Sequence, residues 1–380
     1  MVPFEFQPRT RIVFGPGTIE RLGGLARELG FRRTLLVADK GLVEAGHVAT
    51  AVHSLEAAGI EVSPYHDFAE NPDSAMIDAG GRFAQDLALD SVVGLGGGSS
   101  LDCAKGINFV LTNGGSIGDY RGYGKAARPL LPMIGVPTTA GTGSEAQSYA
   151  VIADAQTHVK MACGDPSAAM RLAILDPELT LTSPRHVTAM SGFDAIAHAV
   201  ETAVTVRRTP MSDTFSHRAW KLLSDAFERV LLHPSDGHAR AAMQLGSHFA
   251  GLAIETSMLG AAHACANPLT ARYNLPHGLA LAMLLPHVVR WNAGVADNNY
   301  AALMGSPRRR ARDEDAGESL AARLEDLALA GGLAMHLADS GVEESALPEL
   351  AAQAAAQWTG TFNPRPFDAE GAMEIYRAAL

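Results

Sequence analysis

The 380-residue chain lacks most features of secreted, nucleic-acid-binding and membrane proteins. It has three cysteines (Cys103, Cys163 and Cys265) and no CxxC pair, which indicates a reducing compartment rather than a disulfide framework. Its formal net charge of −11 argues against the basic face that nucleic acids and anionic membranes select. The N-terminal MVPFEFQPRT lacks the basic-then-apolar pattern of a signal peptide. We therefore expect a cytoplasmic protein with neither nucleic acid nor membrane as a partner.

The sequence also lacks an uninterrupted apolar stretch of membrane-spanning length. Its most apolar window, residues 278–289, contains Pro286 and is too short to cross a bilayer. What the chain does have is core-forming material, since 47% of its residues are hydrophobic and 19% are charged. Its length favours two domains. These properties predict a soluble, two-domain globular protein.

The two halves of the chain differ in their hydrophobic patterns. Continuous apolar runs such as TLLVAD (34–39), DSVVGLGGGSS (90–100) and LPMIGVPTTAGTGSE (131–145) occupy the first half. Such runs are typical of strands buried on both faces, and so of a parallel α/β sheet. From Thr182 onward, Ala, Leu and Met recur at helical spacing. The sequence predicts an α/β dinucleotide-binding domain over residues 1–183 and an all-α domain over 184–380, the latter with a charged, solvated loop at 306–319.

Two glycine-rich loops in the first half follow predicted strands, at residues 94–100 and 137–145. Glycine lets the backbone approach a ligand closely, and a helix that begins at Ser99 or Ser100 would point free N–H groups at a phosphate. Because Ser99 stands where the usual dinucleotide fingerprint has a third glycine, a plain strand-to-helix turn is the alternative. Asp39 ends an earlier apolar run. It is either a surface carboxylate or an acceptor for ribose hydroxyls that repels a 2′-phosphate and favours NAD over NADP.

The helical half contains a candidate metal site. Asp194 and His198 lie four residues apart in an otherwise apolar helix, so they share one face of a buried element. A buried carboxylate needs a partner, which is either a hydrogen bond or a metal. His263 and His277 occur in GAAHACANPLTARYNLPHG (260–278), on two elements that could converge. One oxygen and three nitrogens suit Fe(II) or Zn(II) and leave room for substrate, and Cys265 is a weaker rival ligand.

These motifs resemble those of the iron-containing (group III) alcohol dehydrogenases along essentially the whole chain. GGGSSLDCAK (96–105) is similar to the family's GGGSxxDxAK, and PTTAGTGSE matches its second nucleotide loop. GFDAIAHAVE (192–201) and the segment 260–278 match the two metal-binding segments. The resemblance implies the architecture shared with dehydroquinate synthase, a cleft active site, and a homodimer or larger homo-oligomer.

Residue by residue, the resemblance implies two sets of contacts. The metal ligands would be Asp194, His198, His263 and His277. The NAD contacts would be Asp39, Asn71, Gly97, Gly98, Ser99, Asp102, Thr138, Thr139, Thr142, Ser144 and Lys160. The expected reaction is metal-assisted hydride transfer between a small alcohol and NAD, giving the aldehyde or ketone.

The sequence departs from the family pattern near the expected substrate. Asn267 replaces a frequent histidine, Ile254 and Glu255 replace Phe and Asn, and Ala146–Gln147 replace Val-Thr. We therefore expect an altered substrate pocket with Asn267 and Ile254 close to the substrate. Alternative activities are an oxo-acid reductase similar to maleylacetate reductase, a hydroxyacid–oxoacid transhydrogenase, a dehydroquinate synthase-like lyase, and a catalytically silent NAD-binding protein.

Overall fold

The apolar runs of the first half form two sheets in the computed structural model, which describes residues 3–305 and 315–380. The strands are β1 Arg11–Phe14, β2 Arg33–Val37, β3 Glu61–Tyr65, β4 Ser91–Gly96, β5 Gly122–Tyr123, β6 Met133–Pro137, β7 Tyr149–Ala153, β8 Lys160–Gly164 and β9 Leu172–Leu175. The larger sheet has six parallel strands in the order β1-β9-β6-β4-β2-β3. The smaller sheet has the order β5-β8-β7, and β7 pairs with β8 in antiparallel orientation.

Helices cover the parallel sheet. They are α1 Leu22–Glu28, α2 Lys40–Glu44, α3 His47–Ala57, α4 Ser74–Ala84 and α5 Gly98–Asn113. Strands β2, β4 and β6 are neighbours, so the segments that follow their carboxyl ends lie at one edge of the sheet. This edge receives Asp39 after β2, the first glycine loop after β4, and the start of the second loop after β6.

The rest of the chain is helical. The helices are α6 Arg185–Thr202, α7 Pro210–Leu232, α8 Gly237–Ser257, α9 Ala261–Tyr273, α10 His277–Leu303, α11 Ala316–Gly331, α12 Leu347–Ala355 and α13 Ala369–Ala379. The described residues after Ser183 contain no strand. The predicted fold class, an α/β part followed by an all-α part, is confirmed.

Packing of the backbone divides the chain into two units. The α/β unit comprises Gln7–Thr139 and Gly143–Ser183, and the helical unit comprises Pro184–Leu380 together with Ala140–Thr142 and the start of the chain up to Phe6. The units change at Ser183, near the expected boundary. The segment Ala140–Thr142, which we expected in the first domain, instead belongs with the helices, because Gly141 packs directly against Ser191 of α6.

Two prolines lie inside helices, and part of the expected charged loop is helical. Pro286 does not interrupt its apolar window, because α10 continues through it for 27 residues. Similarly, α9 continues through Pro268. Residues 306–314 of the expected charged loop lie outside the described residues, whereas residues 316–319 already form the first turn of α11, which Asp315 caps by accepting from the N–H of Gly317.

Helix α10 is long and apolar enough to cross a membrane by length and composition, and 67% of its apolar window is buried inside the protein. Its buried residues belong to the hydrophobic core of the helical unit. A central core helix satisfies the same criteria as a membrane span, so this helix is weak evidence for membrane insertion.

The first turn of α10 lies directly on α6. A Cβ atom at Gly278 would lie 2.0 Å from the carbonyl oxygen of Met190, so only glycine allows the two backbones to approach this closely. This contact matters for function because His277 precedes Gly278, and Asp194 lies one turn after Met190.

We predict that Gly278→Ala destabilises the fold by about 1–3 kcal/mol or more, because the methyl group would force α10 away from α6. Gly294→Ala is the matched control on the same helix, since a Cβ there meets nothing within 4 Å. The control is expected to be neutral or slightly stabilising, because alanine favours helix. Denaturant unfolding of both variants measures the difference. Equal stabilities would contradict the assigned helix contact.

Candidate metal and nucleotide sites

Helix α6 supplies one carboxylate and one imidazole to a buried cluster. Asp194 and His198 are both buried, and their spacing places them on the same helix face. Nε2 of His198 lies 3.3 Å from Oδ1 of Asp194. The predicted proximity of these two side chains is therefore present.

The opposite side of the cluster comes from α9 and α10. His263 lies in the first turn of α9, and His277 is the first residue of α10. Between them, Asn274 ends α9 in the left-handed conformation, so the chain reverses within a few residues. Nε2 of His263 lies 3.6 Å, and Nε2 of His277 3.9 Å, from the same Oδ1 of Asp194.

The ligand atoms of Asp194, His263 and His277 lie within 4.8 Å of one another, a spacing that fits a metal ion, and His198 lies beside Asp194 on α6. Ligands about 2.1 Å from a tetrahedral metal are separated from one another by about 3.4 Å, which is close to the distances from Oδ1 of Asp194 to the three imidazoles. Oδ1 of Asp194 and Nε2 of His263 are buried without a hydrogen-bond partner, as expected of atoms reserved for a cation. One carboxylate oxygen and two imidazole nitrogens can therefore hold a divalent transition metal, whereas His198, the expected fourth ligand, is outside this group of three.

The electrostatics of the cluster favour a cation. Burial lowers the pKa of His198 to about 4. Burial would raise the pKa of Asp194, but the three surrounding imidazoles hold it below its usual range. At His263 burial acts to lower the pKa, yet Glu201 and Asp194 outweigh it and raise the pKa to about 9. Among the described ion pairs, no lysine or arginine meets Asp194 or Glu201.

Glu201 contacts this cluster and was not among the residues predicted from the sequence. It is buried, and it accepts a short hydrogen bond from Nδ1 of His263. Its position seven residues after Asp194 and three after His198 was the available signal, because that spacing places all three on one helix face.

In the α/β unit, the two glycine loops meet at the carboxyl edge of the sheet. Gly96 has φ +142°, and a Cβ there would lie 2.4 Å from Oγ of Ser100, so glycine is required. Helix α5 begins at Gly98, with Gly97 as its N-cap, slightly earlier than predicted. A Cβ at Gly97 would lie 3.3 Å from Oγ1 of Thr139, so the first loop contacts the second. The free N–H groups at the start of α5 can bind a phosphate.

Asp39 sits beside this edge in a structural role. Its Oδ1 caps α2 by accepting from the N–H of Leu42 at 3.2 Å, and its Oδ2 accepts from Oγ of Ser100 at 3.1 Å. Each carboxylate oxygen retains a further lone pair for a ligand hydroxyl. Asp39 is therefore more than a solvated surface carboxylate.

A second group of candidates surrounds Ser99. Its hydroxyl accepts from the N–H of Asn71 at 3.1 Å, and Asn71 has φ 53°, in the left-handed region. Nζ of Lys160, at the start of β8, lies 3.4 Å from Oδ1 of Asn71. Asn71, Ser99 and Lys160 are distant in sequence but form one polar group at the N-terminal end of α5.

A third group is internally bonded. Oδ1 of Asp102 accepts from Oγ of Ser144 at 2.6 Å, and Oδ2 accepts from the N–H of Val151 at 3.2 Å. Lys105, which is fully buried, donates to the carbonyl and hydroxyl oxygens of Ser144 and to the carbonyl oxygens of Gln147 and Tyr149. Burial raises the pKa of Asp102, and Lys105 opposes this.

No role for Lys105 was predicted from the sequence. The signal was a lone lysine in a helix that is otherwise largely apolar, because a buried ammonium group must find several acceptors. By bonding the segment 144–149, Lys105 holds the second loop in place.

The remaining candidates are placed separately. Thr138 is buried after β6, and Thr142 belongs to the helical unit rather than to the α/β unit. Ile254 is buried near the end of α8. Asn267 is partly buried one turn after His263 on α9, and its Nδ2 donates to Oε1 of Gln357 at 3.2 Å.

Comparison with known proteins identifies the family. Residues 8–177 match the family model described as iron-containing alcohol dehydrogenase, and residues 188–380 match the one described as Fe-containing alcohol dehydrogenase family, C-terminal. The chain belongs to the iron-containing alcohol dehydrogenase family. It is 34% identical over 372 residues to 1,3-propanediol dehydrogenase of Klebsiella pneumoniae, covering 97% of this chain and 96% of that protein.

The similarity to two further proteins also extends over nearly the whole chain. The chain is 31% identical to the NAD-dependent methanol dehydrogenase of Bacillus methanolicus, covering 97% of each. A crystal structure of a 1,3-propanediol oxidoreductase superposes with a TM-score of 0.95 at 33% identity and full coverage of both chains. As a member of this family, the protein is an oxidoreductase that interconverts an alcohol and its aldehyde or ketone. The recognition made from the sequence motifs is confirmed.

Proposed function

We propose that the protein is an NAD-dependent dehydrogenase of a small primary alcohol, with iron(II) held by Asp194, His198, His263 and His277. The observation that carries the proposal is the position of Oδ1 of Asp194, 3.3–3.9 Å from three imidazole nitrogens and buried without a hydrogen-bond donor. When bound, the metal supplies Lewis acidity to an alcohol or carbonyl oxygen, and the dinucleotide accepts or delivers the hydride.

The choice of iron rests on the family rather than on the ligand set, which suits Zn(II) equally well. The choice of a small primary alcohol follows the named relatives, one of which acts on methanol and another on 1,3-propanediol. The protein's own residues hold the metal, exclude water through the surrounding apolar helices, and fix the imidazole orientations.

For the dinucleotide, we propose binding at the carboxyl edge of the parallel sheet. The start of α5, at Gly97, Gly98 and Ser99, offers N–H groups to the pyrophosphate. Asp39 accepts from the adenosine ribose hydroxyls, and its charge repels a 2′-phosphate. Further proposed contacts are Asn71, Asp102, Thr138, Thr139, Thr142, Ser144 and Lys160. Asp102 also holds Ser144 in place, because its Oδ1 accepts a hydrogen bond from the hydroxyl of Ser144.

For the substrate, we propose that Asn267 and Ile254 line the pocket. Asn267 lies on the same face of α9 as His263, one turn further along. Its amide can donate and accept hydrogen bonds but does not titrate, so it cannot relay a proton.

The first prediction from the proposed function concerns metal removal. Protein purified without oxygen is expected to contain about one iron per chain by elemental analysis, and chelation should abolish alcohol oxidation until Fe(II) is returned. His198→Ala should lose most of the metal, whereas His248→Ala, a buried histidine on α8 outside the cluster, should retain it. Full alcohol oxidation by demonstrably metal-free enzyme would refute the proposal.

The second prediction concerns cofactor choice. Asp39→Asn keeps the cap on α2, since asparagine caps as well as aspartate, but removes the charge that repels a 2′-phosphate. The ratio of kcat/KM for NADP to that for NAD is expected to rise about tenfold, which corresponds to about 1.4 kcal/mol. Asp368→Asn, at the N-cap of α13, is the matched control. An unchanged ratio in Asp39→Asn would remove Asp39 from the cofactor site.

The third prediction concerns the departure at Asn267. Asn267→His introduces a titratable group one turn from His263, so the pH dependence of kcat/KM is expected to change while metal content does not. Asn267→Gln keeps a non-titrating amide and serves as the control. Metal loss in the histidine variant, or pH profiles that are identical in all three proteins, would show that position 267 has been misplaced.

A further inference from the structure

Glu201 is the third polar group on the buried face of α6. It follows Asp194 by seven residues and His198 by three, and it is only 3% exposed. Its carboxylate bonds to the start of α9, so it is not counted among the proposed metal ligands, which include the first two residues. A buried carboxylate with no lysine or arginine partner is costly, so its contacts must explain its presence.

Both oxygens of Glu201 are directed at the start of α9. Oε2 accepts a short hydrogen bond from Nδ1 of His263, and Oε1 accepts from the N–H of Ala262 at 2.7 Å. Gly260 makes room for this arrangement, because a Cβ there would lie 3.1 Å from Oε1. One side chain therefore holds both the backbone and the imidazole of consecutive residues on a neighbouring helix.

These contacts determine which nitrogen of His263 is available. Nδ1 must carry a proton to donate to Glu201, and this leaves Nε2 directed at Asp194, 3.6 Å from Oδ1 and buried without a hydrogen-bond partner. The ring can then neither flip nor rotate without breaking the bond to Glu201.

We infer that Glu201 is a positioning residue for the metal centre, which fixes the orientation and tautomer of His263 and contributes the second negative charge that balances a divalent ion. The inference rests on the proposed metal site. Asp194 and Glu201 together carry two negative charges, so a divalent ion would make the buried cluster neutral, and a neutral cluster is the least costly to bury.

A purely structural role for Glu201 is the alternative, since a carboxylate also stabilises a helix N-terminus. Asn363 provides the matched comparison. Its Oδ1 accepts from the N–H of Ala261 at 3.2 Å, so it caps the same end of α9, and none of its described contacts is with His263.

The test measures metal affinity rather than activity. Glu201→Gln is nearly isosteric, and its metal dissociation constant, from competition with a chelator for Fe(II) or Zn(II), is expected to rise about 10- to 100-fold. Asn363→Ala is expected to lower the thermal midpoint of the metal-free protein but to leave the dissociation constant within a few-fold of the wild-type value. Circular dichroism of each metal-free variant verifies that it is folded.

A double-mutant cycle separates the two roles further. In a His263→Ala background, Glu201→Gln is expected to weaken metal binding by a clearly smaller factor than in the wild type, because the ring it positions is gone. If Glu201→Gln does not fold, Glu201→Asp takes its place in both comparisons. Wild-type affinity in the Glu201 variant, an equal loss in Asn363→Ala, or an undiminished effect in the His263→Ala background would overturn the inference. A wild-type protein that binds no metal would instead refute the proposed function.

Discussion

One buried carboxylate oxygen is the constraint that the candidate metal site is arranged around. Oδ1 of Asp194 is surrounded by imidazole nitrogens from three helices, and no described lysine or arginine neutralises it. Burying such a charge without compensation would be severely unfavourable. The close approach of α10 to α6 at Gly278 and the reversal at Asn274 are what bring His277 and His263 to this atom. The packing of α6, α9 and α10 therefore brings together the side chains that surround the charge of Asp194.

Much of the architecture could be predicted from sequence because local patterns determine it. The buried runs before residues 39, 97 and 138 have the short length of interior strands, and glycine loops mark the carboxyl ends of the second and third. The pairing of Asp194 with His198 followed from helical periodicity alone. In contrast, proline usually ends a helix, yet α9 and α10 continue through Pro268 and Pro286 because packing on neighbouring helices stabilises them.

What could not be predicted is the direction in which side chains point across elements. Local sequence patterns do not indicate that Glu201 contacts His263 rather than solvent, because the two residues are 62 positions apart. The same holds for Lys105, whose acceptors lie 39 to 44 residues further along the chain. The unit to which Ala140–Thr142 belongs could not be predicted either. This segment follows a strand of the α/β unit, yet it packs on α6 through Gly141. Each of these depends on tertiary packing, which periodicity does not encode.

The buried charged groups Lys105 and Asp194 differ in the hydrogen bonds they receive or donate. This difference distinguishes a structural residue from a residue of the reaction centre. Lys105 donates to four oxygen atoms of a neighbouring segment, so the folded chain itself provides what an ammonium group requires. Asp194 and His263 are equally buried, yet each presents an atom that receives no hydrogen bond. Replacing such a buried pair as a whole by well-packed apolar residues is often neutral or stabilising, so fold stability alone does not explain why the pair is present. Its presence in the core is therefore best explained by a cation that completes it, and Glu201 is the residue whose charge such a cation would balance.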